Sequence, residues 1–287
     1  MKLNILFGGL AILAVELAGV TGCTSNTSTQ LQANIQAQQK IQISGSSSTY
    51  PALKVLADAY SAQAQNTQVT FLPPNQSEAT IAGVKEGILE IGSISKVLKP
   101  EENDGSIQYK EAAKDALLVA THPSVKGINN LTTEQLKAIY SGKIKNWKNL
   151  GGTDAKIVVL DRPEDESAKR LLRQYYLGKE LKNTPDAIVL REEDDLIAAV
   201  RNTPYSIGAF SLAYAISHKL PVNRLSLNGV EPNSDNIRNG KYQMVRNIGI
   251  ISKKTPKAPV QQFINFTLSE AGAEVLHKSG FVSSSQK

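Results

Sequence analysis

Four short polar segments hold the residues best able to do chemistry. The first is Ile43-Ser44-Gly45-Ser46-Ser47-Ser48-Thr49-Tyr50-Pro51. The second is Asn75-Gln76-Ser77, the third Gly92-Ser93-Ile94-Ser95-Lys96, and the fourth Asp161-Arg162-Pro163-Glu164-Asp165-Glu166-Ser167-Ala168-Lys169. Hydroxyls and backbone amides hold a small oxyanion without stacking positive charge, and one arginine adds a planar pair of charge-assisted donors. Each segment also has a plainer reading. Ser47, Ser48 and Thr49 can cap the following helix, and Ser77 and Ser95 can close turns. Arg162 can pair with Asp161 or Glu164, and the run Glu164–Glu166 suits a helix start.

The chain offers little for covalent catalysis. It has no Gly-x-Ser-x-Gly elbow and no Gly-Lys-Ser/Thr phosphate loop. The adjacent acids Glu192-Glu193 and Asp194-Asp195 read as a solvated helix start. His122, His218 and His277 stand singly, and Cys23 is the only cysteine, so a zinc set and an internal disulfide framework are both excluded. No metal and no cofactor is expected. A net charge of +6 without a Lys/Arg block gives no nucleic-acid surface.

Strands and helices alternate around these segments. Ile41 to Ile43 enters the first segment as an apolar strand, and Leu53, Leu56 and Tyr60 leave it on one face of a helix. Strands are expected at Val69–Leu72, Ile88–Ile94, Ala116–Ala120, Ile157–Leu160, Ile207–Phe210 and Ile248–Ile251. Helices are expected at Gln76–Lys85, Thr132–Tyr140, Glu164–Tyr176, Asp194–Arg201, Val260–Leu268 and Glu270–Lys278. That order predicts an α/β fold with mainly parallel sheets, in which ligands bind beyond the carboxyl ends of the strands. With 287 residues and 41% hydrophobic content, the chain can build two packed domains.

Residues 1–22 read as a targeting segment. Lys2 is followed by a mostly apolar run from Ile5 to Val20, interrupted by Glu16. Val20-Thr21-Gly22-Cys23 resembles the lipobox of bacterial lipoproteins, which implies cleavage before Cys23, lipidation of its thiol and a membrane tether. Residues 23–40, rich in Ser, Thr, Asn and Gln, read as a flexible linker.

From Lys40 to Val282 the sequence resembles the phosphate-binding proteins of bacterial ABC transporters. These form a branch of the two-domain type II periplasmic-binding-protein fold. The resemblance rests on Ser-Gly-Ser-Ser-Ser-Thr-Tyr-Pro and on Glu90-Ile91-Gly92-Ser93-Ile94-Ser95-Lys96. Its most specific part is Leu131-Thr132-Thr133-Glu134-Gln135-Leu136-Lys137-Ala138-Ile139-Tyr140, continuing through Asn146-Trp147. Tyr205-Ser206-Ile207-Gly208 and Asn239 through Arg246 add later family segments. It implies one domain of residues 41–119 and 247–287, a second of 120–246, and a ligand cleft between them closed by a hinge. It also implies ligand contacts at Ser48, Thr49, Tyr50, Ser77, Ser95 and Arg162, beside Ser47 from the hydroxyl run.

The fourth segment departs from the family's Arg…Ser-Gly-Thr. Ser167 fills the serine place one residue late, while Ala168 and Lys169 replace Gly and Thr. A phosphate that carries a proton needs an acceptor, and some family members have Asp where Ser95 stands. Glu78, Asp165 or Glu166 either serves instead or repels the anion. The implied protein is a lipid-anchored, extracytoplasmic, monomeric receptor that delivers inorganic phosphate to membrane permease subunits. The rivals are a receptor for another oxyanion or a phosphorylated compound, a sensing or surface-interaction lipoprotein, and an enzyme.

Overall fold

The computed structural model describes residues 39–285, and the lipobox cysteine lies outside them. In chain order β1 (Gln39–Gly45) leads through a single 3-10 turn, Ser47–Thr49, into α1 (Tyr50–Gln63). Next come β2 (Thr67–Phe71), α2 (Ser77–Glu86), β3 (Ile91–Ile94) and the long β4 (Ile107–Thr121). After the short β5 (Asn130–Leu131) follow α3 (Thr133–Tyr140), β6 (Val158–Asp161), α4 (Ser167–Leu172) and β7 (Ile188–Val189). Then come α5 (Glu193–Asn202), β8 (Ser206–Ser211), α6 (Leu212–Ser217), β9 (Asn223–Arg224) and β10 (Ser226–Leu227). The chain ends with α7 (Ser234–Arg238), β11 (Val245–Lys253), α8 (Ala258–Thr267), α9 (Glu270–Lys278) and β12 (Val282–Ser283).

One sheet runs through the molecule in the order β2-β1-β3-β11-β4-β8-β6-β7, with β9 and β12 also on β4. β1 pairs parallel with β2 and β3 at one end, and β6 pairs parallel with β8 and β7 at the other. The centre differs from the expected mainly parallel sheet. β11 runs antiparallel to β3 and β4, and β4 antiparallel to β8. These two strands are the connections between the sheet's ends, so each must run against its neighbours. The first half of β4 escapes sequence reading because Tyr109-Lys110-Glu111 and Lys114-Asp115 break its apolar run.

The core is divided where β4 and β11 cross. Ile41, Ile43, Leu53, Leu56 and Ala113 pack with Ile248, Ile250 and Phe263. Ala116 to Ala120 instead pack with Trp147, Leu160, Phe210 and Met244. On each strand the side chains change core within a few residues, around Asp115 on β4 and Arg246 on β11. This is the two-lobed α/β arrangement of the periplasmic-binding-protein fold.

Two expected elements shift. Ile88 is exposed, and the third strand starts only at Ile91. The helix expected from Glu164 starts at Ser167, because Arg162 to Glu166 form a loop, and its last turn widens to a π-helix at Arg173–Leu177.

Candidate functional site

Gly45 ends β1 at φ +153°. A Cβ there would stand 2.0 Å from the Ser93 carbonyl oxygen, so the strand meets β3 only because this residue is glycine. The Ser46 N–H donates to that carbonyl at 3.0 Å. Thr49 donates its hydroxyl to the Ser46 carbonyl at 2.7 Å and shares a second 2.7 Å hydrogen bond with Ser93 Oγ. Ser46 Oγ lies 3.0 Å from Ser48 Oγ and 3.3 Å from Ser95 Oγ. Ser46 and Thr49 thus link the first and third segments, a role that their types alone do not distinguish from their neighbours. Pro51 occupies the first turn of α1, and Ala52, Leu53, Leu56 and Tyr60 bury its inner face.

The residues singled out from sequence fall into three groups. Ser47, Ser48, Tyr50 and Arg162 line one cavity of 480 Å³. Ser77, Ser95 and Ser167 line a second, of 550 Å³. Arg246 lines both, so the two cavities flank it on the crossing strands. Thr49 and Lys169 are buried and line neither. The Tyr50 hydroxyl is engaged with the Leu72 carbonyl at 2.8 Å, and burial pushes its pKa up.

Arg162 follows β6. Its backbone N–H donates to Asp161 Oδ1 at 2.8 Å, and its Nη2 lies 3.0 Å from Glu166 Oε2. Its Nε and Nη1 are buried with no hydrogen-bond partner among the described residues. An unsatisfied buried donor costs about 1–3 kcal/mol, more when charged. Lys169 is spoken for: its ammonium is buried against the Asp161 carboxylate, which also accepts from Asn183 Nδ2 at 2.5 Å. Asp161 therefore neutralises Lys169 rather than Arg162.

The acidic run is divided by its partners. Glu164 takes Arg173 at 2.6 Å and 3.0 Å, and those hydrogen bonds hold its carboxyl below the usual range. Asp165 pairs with Arg191 at 3.3 Å. Glu166 alone of the three lines the 480 Å³ cavity.

Sequence reading missed the floor of the cleft. Arg246 Nε and Nη2 donate to Asp115 Oδ2 at 3.0 Å and 2.8 Å. Its Nη1 and Nη2 donate to Glu193 at 3.2 Å and 3.0 Å, and Nη1 reaches Ser167 Oγ at 3.5 Å. Glu193 therefore does not share the solvated helix start expected of it; Glu192, Asp194 and Asp195 are exposed, while Glu193 also accepts the Ser211 N–H at 2.8 Å. Burial alone would raise Glu193, but Arg246 outweighs it and holds the carboxyl below its ordinary value. Asp115 is more deeply buried, and there burial wins and pushes the carboxyl up. Only the antiparallel register pairs Arg246 with Asp115, and no sequence spacing announces it.

Among the described residues no group of His, Cys, Asp or Glu could hold a metal ion, and no helix is long and apolar enough to cross a membrane. A cleft between two α/β lobes, hydroxyls on one wall and an incompletely paired arginine on the other, is the build of a binding protein for a small anion. The chain matches a PBP superfamily domain over residues 27–271. It is 32% identical over 250 residues to the phosphate-binding protein PstS of Borreliella burgdorferi, covering 84% of this chain and 89% of the relative. It is 25% identical to PstS of Bacillus subtilis, over 94% and 89% of the two chains. A crystal structure described as a phosphate ABC transporter substrate-binding protein with bound phosphate, from Clostridium perfringens, superposes with a TM-score of 0.73. That match has 29% identity over 85% of this chain and 99% of the other. The chain belongs to the PBP superfamily, within the family of PstS-type phosphate-binding proteins.

Proposed function

We propose that this protein captures inorganic phosphate by closing its two lobes over the anion and presents it to the membrane subunits of an ABC permease. The observation that carries the reading is Arg162. It lines a cavity with Ser47 and Ser48, and two of its guanidinium nitrogens are buried without partners among the described residues. A tetrahedral anion presents two oxygens to such a fork and others to hydroxyls across the cleft. Closure follows if those contacts form together only in the closed form. Ser77, Ser95 and Ser167 would complete the donor set from the adjoining cavity. Thr49 would act as a brace for the serine turn, and Lys169 as the charge partner that keeps Asp161 away from Arg162.

The hinge in this reading is the Asp115–Arg246 crossing, with one lobe of residues 41–119 and 247–287 and the other of 120–246. No covalent step is required, so the protein is a receptor and not an enzyme. Lipidation at Cys23 would hold it, as a monomer, on the outer face of a bacterial membrane. The names of its relatives support phosphate as cargo. Titration calorimetry of anion-stripped protein with phosphate, sulfate, molybdate and a phosphonate tests this. Phosphate binding that Arg162→Ala abolishes is expected. Binding of another anion alone would give the site a different cargo, and no heat with any anion would favour a surface-interaction lipoprotein.

A further inference from the structure

We infer that Glu166 is a resident anion of the cleft, a carboxylate that occupies part of Arg162 in the absence of ligand and must be displaced for phosphate to bind. The inference rests on the phosphate reading of the site. Glu166 stands at the N-cap position of α4 with extended backbone, φ −82° and ψ 144°, yet its side chain makes no capping hydrogen bond. The usual use of a side chain at that position is to satisfy the helix's first N–H groups. Here the carboxylate turns to Arg162 instead, Oε2 to Nη2 at 3.0 Å.

The contact is incomplete. A carboxylate that matches a guanidinium takes two nitrogens at once. Glu166 takes one, and Nε and Nη1 stay buried and unpartnered among the described residues. The side chain of Arg162 is 8% exposed and that of Glu166 28%, so the arginine is fixed while the carboxylate has room to leave. It also has somewhere to go. Arg191 Nη1, which also holds Asp165 at 3.3 Å, lies 3.6 Å from the other oxygen, Oε1, and its side chain is 61% exposed. Arg191 is thus a second post that can hold Glu166 once an incoming anion takes Arg162. A ligand with two oxygens for Arg162 wins if displacing Glu166 uncovers Nε and Nη1, both buried in the structure. The affinity that results is lower than the bare arginine would give, by the free energy of the contact it breaks.

The test is calorimetry of the full chain, stripped of anion, with inorganic phosphate and with sulfate. Wild type and Arg162→Ala are measured first; absence of phosphate binding in wild type sinks the phosphate reading itself and this inference with it. With wild-type binding established, Glu166→Gln and Glu166→Ala should each tighten phosphate about tenfold, the equivalent of about 1.4 kcal/mol. Sulfate binding, where measurable, should tighten with them, since the competition is for the charge of Arg162. Tightening cannot arise from a misfolded variant. Unchanged affinity in both variants overturns the inference and leaves the phosphate reading standing. Weaker phosphate binding with sulfate unaffected also overturns it, and makes Glu166 an acceptor for the ligand's proton. Arg191→Ala should weaken phosphate several-fold in wild type and leave Glu166→Gln unmoved. An equal loss in both backgrounds contradicts the holding post, because Arg191 would then act only as a distant positive charge.

Discussion

The serine turn after β1 and the loop after β6 face the same cleft but are built by opposite means. The turn is neutral. Gly45 lets it lie against β3, and Ser46, Thr49 and Ser93 fix it through hydroxyl and backbone hydrogen bonds of 2.7 to 3.3 Å. The loop is held by charge: Asp161 on Lys169, Glu164 on Arg173, Asp165 on Arg191 and Glu166 on Arg162. Neutral hydrogen bonds fix a geometry and leave it fixed, as does the buried Asp161–Lys169 pair, whereas the partly exposed pairs of Glu164, Asp165 and Glu166 can be exchanged for a ligand. The difference implies a rigid donor wall on one side and a wall that rearranges on the other.

The floor beneath both walls should be the most sensitive place. Arg246→Ala leaves Asp115 buried without its partner, and removing one member of a buried pair costs about 3–5 kcal/mol. Chemical denaturation should report a loss of that size. Gly45→Ala comes next. Its methyl meets backbone, which cannot swing aside, and overpacking of that kind costs about 1–3 kcal/mol. The same variant should weaken phosphate binding, because the serine turn moves with it. A stable, fully binding Gly45→Ala protein would show that the donor wall is not rigid.

Glu193→Gln should cost about 1–3 kcal/mol at neutral pH, and its pH dependence has a definite sign. The folded-state pKa of Glu193 lies below its unfolded value. The stability it adds is therefore complete above the unfolded value and is lost as pH falls through the folded one. Wild type and variant should converge in melting temperature on the acid side of the ordinary glutamate range and separate above it. The smallest effect belongs to the exposed charges of the loop. Glu164→Gln breaks a pair whose carboxylate side chain is 63% exposed, and should cost no more than about 1 kcal/mol. A larger loss would mean that the loop's ion pairs are structural rather than exchangeable.

Much of this architecture is legible in the residues. The strand, serine turn and helix from Ile41 to Tyr60 are written in local pattern: alternating isoleucines, small hydroxyls, a proline in the first turn and apolar residues at helical spacing. Arg162 and the serines expected from sequence line the two cavities, and their types announce donors for an anion. The antiparallel crossing is not legible, since β4 mixes charge into its first half and its partner β11 lies far along the chain. Glu193 looked solvated because its neighbours Glu192, Asp194 and Asp195 are; only tertiary packing brings it to Arg246. Lys169 and Thr49 are expected among the ligand donors; the fold pairs the first with Asp161 and the second with the Ser46 carbonyl and Ser93 Oγ, and neither lines the two cavities.

Solution X-ray scattering with and without phosphate addresses closure itself. The radius of gyration of the wild-type chain should fall when saturating phosphate is added, and that of Arg162→Ala should not change. Phosphate that binds wild type with no change in radius would contradict a cleft that closes on its anion.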